Sequence, residues 1–200
     1  MLHKDRREQI LDAAQKVFAQ KGFDGASIKD LTKAARVSPG LLYWYFDGKS
    51  DLFASLVSER LVKLLGLLAE HLSFDLPPEE SLPQFGCFYV ELFEQGMNAA
   101  LFKLVVTNAQ SFPPSVRKTQ ADRLNQMLDL VQGYFRHQID AGRMHPCDTE
   151  MAARTFMGSL VAFLLTRHVL RNERTLALST ETVVKGITDI VLRGSLPLQQ

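Results

Sequence analysis

Cysteine is scarce in this chain of 200 residues: Cys87 and Cys147 are the only two, and they form no C-x-x-C pair. That spacing excludes a disulfide framework and a cysteine-clustered zinc site, and it suits a reduced, cytoplasmic setting with two free thiols. Long apolar runs are missing as well. The longest, such as "LVAFLL", are far too short to span a bilayer, so no membrane association is expected. The opening "MLHKDRREQI" has no apolar core of the kind a signal peptide needs. The five histidines (His3, His71, His137, His145 and His168) are scattered, and none shares a helix face with Cys or a carboxylate at metal-ligand spacing. No glycine-rich phosphate loop and no nucleophile elbow occurs. The densest polar cluster, "HPCDTE", reads as a turn in which Asp148 or Thr149 opens a helix. An enzyme, a metal site and a bound cofactor are therefore not expected.

Strand-like alternation is also lacking, whereas the helical period is everywhere. The fold class is all-α, in two parts. Apolar residues Ile10, Ala13, Ala14, Val17 and Phe18 recur at spacings of three and four, giving a first helix from about Lys4 to Lys21 that Gly22 ends. Ser27 followed three residues later by Asp30 forms a capping box for a short second helix carrying Ile28, Leu31, Ala34 and Ala35. After the tight "ARVS" connection, Ser38 and Pro39 read as N-cap and first residue of a third helix. Two short helices joined by so sharp a corner are a helix-turn-helix, expected over residues 1–48. Beyond it, helical patterns run over 49–71, 79–97, 99–111, 114–141, 148–171 and 179–193, so residues 49–200 are expected to form a second, helical domain.

The third helix holds the sequence's one Trp and two of its four Tyr within three positions, in "SPGLLYWYF". With Leu42 at zero on a helical wheel, Phe46 lies about 40° away and Trp44 points almost directly opposite, with Tyr43 and Tyr45 on the flanks. One face is core. The other shows water an apolar surface rimmed by hydroxyls, which calls for a partner. Charge points to that partner. The net charge is +1 overall, but residues 1–50 hold nine Lys/Arg against six acids, a local excess of +3. A basic head on a near-neutral protein suits contact with a polyanion.

Residues 8–57, in particular Ala13-Ala14, Phe18, Gly22-Phe23, Ser27-Ile28, Leu31, Ala34-Ala35, Val37-Ser38, Gly40, Leu42-Tyr43, Tyr45-Phe46, Lys49 and Leu52, resemble the DNA-binding head of TetR/AcrR-type bacterial transcriptional regulators. The resemblance implies that Pro39–Phe46 enters the major groove of double-stranded DNA. Gly40 lets the backbone approach; Leu41 and Trp44 can pack on thymine methyls or sugar carbons; the Tyr43 and Tyr45 hydroxyls can donate to phosphates. Lys49 and Ser27 sit at helix starts that favour phosphate, Ser38 and Pro39 open the DNA-binding helix itself, and the family places a contacting residue at Lys29. Two departures stand out. Arg36 occupies a turn position where the family usually has Gly, and its guanidinium can reach a phosphate. The recognition helix also lacks Arg, Asn and Gln, so discrimination is expected to rest on Lys29, apolar contacts, water and DNA shape.

The resemblance further implies a homodimer formed by the last two long helices, here with Phe156, Leu160, Phe163, Leu164, Val183, Ile187 and Ile190. It also implies a small-molecule effector enclosed by the middle helices. Phe88, Phe93, Met97, Phe102, Met127, Tyr134 and Phe156 are the candidate lining, suited to an apolar or aromatic ligand that releases a repressor from a palindromic operator. The alternative is a DNA-binding adaptor controlled by a protein partner, with no small-molecule effector.

Overall fold

The structure is a computed structural model describing residues 2–94, 96–109, 112 and 114–193; the side chains of residues 2–5, 97, 108 and 115 are outside the described set. Among the described residues ten α-helices follow one another: α1 (Leu2–Gly25), α2 (Ile28–Ala35), α3 (Pro39–Tyr45), α4 (Lys49–His71), α5 (Pro78–Glu94), α6 (Gly96–Asn108), α7 (Pro114–Asp140), α8 (Thr149–Leu164), α9 (Glu173–Leu176) and α10 (Thr180–Arg193). A π-helical turn, Leu165–Val169, extends α8. Among the described residues there is no strand, and no helix is long and apolar enough to cross a membrane. Two compact units result. One comprises α1–α3, α4 as far as Lys63, α6, and α7 as far as Arg123; the other comprises the remainder of α4 and α7 with α5 and α8–α10.

The first unit is built on an aromatic core. Phe53 meets Phe18 and Phe23 edge-on at 5.1 Å each, so that ring edges face ring faces favourably, and Phe112 in a tilted contact at 4.7 Å. Ile10, Leu11, Leu31, Leu42, Leu52 and Leu56 complete it, all essentially inaccessible to water. α6 contributes Leu101 and Leu104 to the same core. A three-helix head alone buries too little apolar surface for independent stability, and these added helices supply what it lacks. Gly22 breaks the helical path of α1 with φ 71° and ψ 175°, a left-handed φ open to glycine at no steric cost.

Polar contacts lock α1 to α4. Arg60, whose side chain is 12% exposed, donates to Gln15 at 3.0 Å and to Glu8 at 2.7 Å, and it also pairs with Asp12. Lys63 reaches Glu8 as well, and Arg7 pairs with Glu59. One guanidinium thus spans two turns of the facing helix, from Glu8 to Gln15. The two cations on Glu8 hold its carboxyl below its ordinary value by hydrogen bonding.

In the second unit α5 packs against α8 and α10. Phe85 meets Phe156 at 6.3 Å, and a Cβ placed on Gly86 would lie 2.6 Å from Val184 Cγ1. Gly86 is therefore the residue that lets α10 approach. The 72–77 connection is held by side chains rather than by a ladder. Gln138, fully buried, donates to the carbonyls of Phe74 (3.1 Å) and Leu76 (3.4 Å), and Arg143 donates to both Phe74 O and Gln138 Oε1. Asp148 caps α8, accepting from the amides of Glu150 and Met151 at 3.0 and 3.1 Å, which accounts for the "HPCDTE" cluster.

Candidate nucleic-acid interface

The helix-turn-helix is fixed by its caps. Ser27 Oγ accepts from Asp30 N while Asp30 Oδ2 accepts from Ser27 N, both at 3.1 Å, the two halves of a capping box. Lys21 pairs with the same carboxylate at 2.6 Å. Lys21 and Ser27 together hold the Asp30 carboxyl far below its usual range. α2 ends at Arg36, whose backbone is left-handed (φ 53°, ψ 46°). Its N–H returns to Lys33 O and the next amide, of Val37, to Thr32 O, which closes the orphan carbonyls as a glycine would. Gln9 adds a bond of 2.8 Å to Ala35 O. Ser38 then accepts from Leu41 N at 3.2 Å, with Pro39 as first helical residue.

These caps aim α3. Leu42 and Phe46 are 0% and 2% exposed, while Trp44 is 65% and Tyr43 53% exposed. Trp44 and Tyr45 meet edge-on with centroids 4.6 Å apart. Tyr45 is half-buried against the core, whereas Ser38, Pro39 and Gly40 are exposed and Leu41 is half-buried. Ser27, Lys29 and Arg36 are exposed on α2 and its turn. Arg36 also edges a groove of about 550 Å³ whose lining includes Glu8, Asp12 and Lys16. The arrangement offers a protruding aromatic helix beside exposed cations, the shape and charge a duplex groove accepts.

Lys49 is placed differently. Its Nζ turns inward to the carbonyls of Phe23 (2.9 Å), Ala26 (3.1 Å) and Asp24 (3.4 Å) and stands 4.7 Å from the Phe23 ring centroid. Arg7 has a comparable part, over the Phe46 ring at 5.1 Å. Sequence reasoning missed Arg7 because Glu59, its ion-pair partner, is 52 residues away and no local pattern links the two.

The residues read as effector lining are distributed over α5, α6, α7 and α8. Tyr134 and Phe156 are fully buried and Met127 nearly so. Burial pushes the Tyr134 hydroxyl up to about 12. Phe88 lies face to face with His71, centroids 3.4 Å apart, and Phe93 leans on Tyr89. Phe102 belongs to α6 in the first unit, and the Met97 side chain is outside the described residues.

Of the residues read as dimer contacts, Phe156, Leu160, Phe163 and Leu164 are at most 6% exposed within their own chain. Their side chains are covered within the chain, and α8 leaves exposed Met151, Thr155, Gly158 and Ala162, each about one turn from the next. Val183 and Ile187 are half-buried and Ile190 is 63% exposed on α10.

Comparison with known proteins agrees with this geometry. Residues 10–56 match the family of bacterial regulatory proteins called the tetR family, and residues 80–194 match the C-terminal domain of AefR-like transcriptional repressors. An uncharacterised helix-turn-helix transcriptional regulator of Bacillus subtilis, YhgD, is 24% identical over 92% of this chain and 97% of its own. The fatty acid metabolism regulator protein of the same organism is 24% identical over 76% of this chain and 78% of its own. Among solved structures, a TetR-family transcriptional regulator of Mesorhizobium loti superposes with a TM-score of 0.82 at 20% identity, covering 94% of this chain and 96% of that one. FadR of Bacillus subtilis, solved with stearoyl-CoA, gives 0.76 at 20% identity, covering 94% and 99%. The family's members are transcriptional regulators and not enzymes. With a head and a body that both match, this chain belongs to the TetR family of helix-turn-helix transcriptional regulators.

Proposed function

We propose that this regulator is a repressor that binds a palindromic operator as a homodimer and is released by a small apolar or aromatic ligand. The observation that carries the DNA contact is the two-faced α3: Leu42 is sealed in the core and Trp44, on the opposite side, is 65% exposed. Trp44 and Leu41 meet thymine methyls or sugar carbons, Tyr43 and Tyr45 donate to phosphates, and Gly40 admits the backbone. Lys29, Arg36, Ser27, Ser38 and the first turn of α3 hold the flanking backbone. With no Arg, Asn or Gln on α3, shape and water contribute much of the discrimination.

One head neutralises too few phosphates to select a site in a genome; two heads about 34 Å apart read a palindrome. The outer face of α8, where Gly158 and Ala162 permit close approach, and Val183, Ile187 and Ile190 of α10 form the contact between copies. The ligand reading is supported by the likeness to FadR, solved with stearoyl-CoA, and by the aromatic composition of the middle helices. A ligand preferring the DNA-incompatible conformation lowers operator affinity by its differential binding, about 1–3 kcal/mol. The reading is tested by selecting duplexes from a random library with the full chain. Enrichment of a palindrome with half-sites one helical turn apart supports it, and recovery of no preferred sequence refutes it.

A further inference from the structure

Two apolar rows in the second unit end in charge, and the charges meet. On α5, Phe85, Tyr89 and Phe93 follow at four-residue spacing, with ring centroids 6.4 and 5.0 Å apart, and Glu94 closes the helix. On α8, Phe156, Leu160 and Phe163 are buried in a like row. Arg167 lies one turn beyond them, its Cζ 5.3 Å from the Phe163 ring centroid. Arg167 Nε stands 3.1 Å and His168 Nε2 3.5 Å from Glu94 Oε1. The backbone departs from its ordinary course at this meeting. Leu170 N donates to Leu165 O at 3.0 Å, five residues back, the bond of a π turn, and Arg171 follows with a left-handed φ of 50°. A π turn is a rare device that recurs at functional sites, and a residue with a Cβ in the left-handed region carries a cost.

The pairing so obtained is incomplete. Glu94 Oε1 and His168 Nε2 are shut off from water, yet neither has a hydrogen bond among the described residues. Buried polar atoms are nearly always satisfied, so two orphans at one spot require an explanation. Glu94 fills the place of a carboxylate without the alignment that gives an arginine–carboxylate pair its strength. Its side chain is 23% exposed, which leaves it a way out to solvent. We propose that Arg167 and His168 anchor the carboxylate of an apolar or aromatic acid, and that Glu94 is the built-in stand-in which that acid displaces. The inference rests on the ligand reading above and gives the ligand a chemical class. The acid's body lies along the aromatic rows, and its carboxylate accepts from Arg167 Nε and from a proton on His168 Nε2. Arg167 Nη1 stays on Leu178 O at 3.1 Å, which holds the guanidinium in place during the exchange.

The experiment titrates the full chain with decanoate and butylbenzoate, each set against the alcohol of the same skeleton, and follows the heat of binding. The acids are expected to bind about tenfold tighter than the alcohols, the contribution of a hydrogen-bonded charge pair. Arg167→Met is expected to erase that difference while the alcohols bind as before. Glu94→Gln separates an anchor from an ordinary structural ion pair. The glutamine keeps the size of the side chain and removes the competing charge, so the acids should bind this variant about threefold tighter than the parent. A purely structural pair gives no such gain. Unchanged or weakened acid binding in Glu94→Gln therefore overturns the proposal, and that variant decides alone should Arg167→Met fail to fold. Alcohols bound as tightly as the acids overturn it too, while leaving the ligand reading intact. Binding of none of these probes overturns the assigned class, and a screen of neutral apolar compounds for release of the selected duplex then judges the ligand reading separately.

Discussion

Replacing Arg36 separates stability from DNA affinity at a single position. Its backbone is left-handed, φ 53° and ψ 46°, and for a residue with a Cβ that region costs roughly 1–2 kcal/mol relative to the right-handed one. Glycine removes the cost but gives back part of the gain, about 0.4–1 kcal/mol, through the greater freedom of its unfolded chain. Arg36→Gly is therefore expected to stabilise the protein by about 0.5–1 kcal/mol, a rise in thermal midpoint of about 1–4 °C for a chain of this size. Arg36→Ala retains the left-handed cost and is expected to leave the midpoint near that of the parent. The two variants lose the same guanidinium, so both weaken operator binding and flatten its salt dependence equally. Calorimetry with a salt series on the selected duplex reads both effects. An Arg36→Gly midpoint at or below that of Arg36→Ala refutes the account of the turn. An unchanged salt slope in both variants refutes the phosphate contact.

Two further perturbations test the packing. Gly86→Ala sets a methyl 2.6 Å from Val184 Cγ1 and is expected to destabilise by about 1–3 kcal/mol; adding Val184→Ala should recover part of that loss in the same denaturation assay, and full additivity of the two losses contradicts the contact. Glu8, held below its ordinary carboxyl value by Lys63 and Arg60, binds fewer protons folded than unfolded over the interval between its two pKa values. Its contribution is present above the unfolded value of about 4.5 and is lost as pH falls through the depressed folded value, so Arg60→Met should lower stability by about 1–2 kcal/mol near neutral pH and make its decline below pH 4.5 shallower. An acid-unfolding curve with the parent's slope counts against that clasp.

What the sequence discloses and what it conceals follow the range of the interactions. The head is legible because its signals are local: Ser27 with Asp30 and Ser38 with Pro39 each determine a helix start within three residues, and Gly22 breaks α1 near its end. The α5–α6 break, expected between residues 97 and 99, falls at Gly96, whose φ of 50° punctuates the chain earlier than the apolar pattern does. The π turn after α8 and the four-residue α9 give no periodic signal at all. α8 is apolar on most sides, with Met151 and Ala162 outward and Phe156 and Leu160 inward, so the wheel alone does not say which face a partner meets. Lys49 and Arg60 are typical surface residues by type. Their inward use depends on helices brought together from 23 to 52 residues away, a tertiary fact that charge counting does not reach.

Trp44 is the chain's single tryptophan, so its fluorescence reports on α3 with no background from elsewhere. Acrylamide quenching of that fluorescence, measured with and without the selected duplex, tests the central claim most directly. A side chain 65% exposed is freely quenched in the unbound protein, and saturating duplex should shield it at one duplex per dimer. Equal quenching constants in the bound and unbound protein would contradict the account.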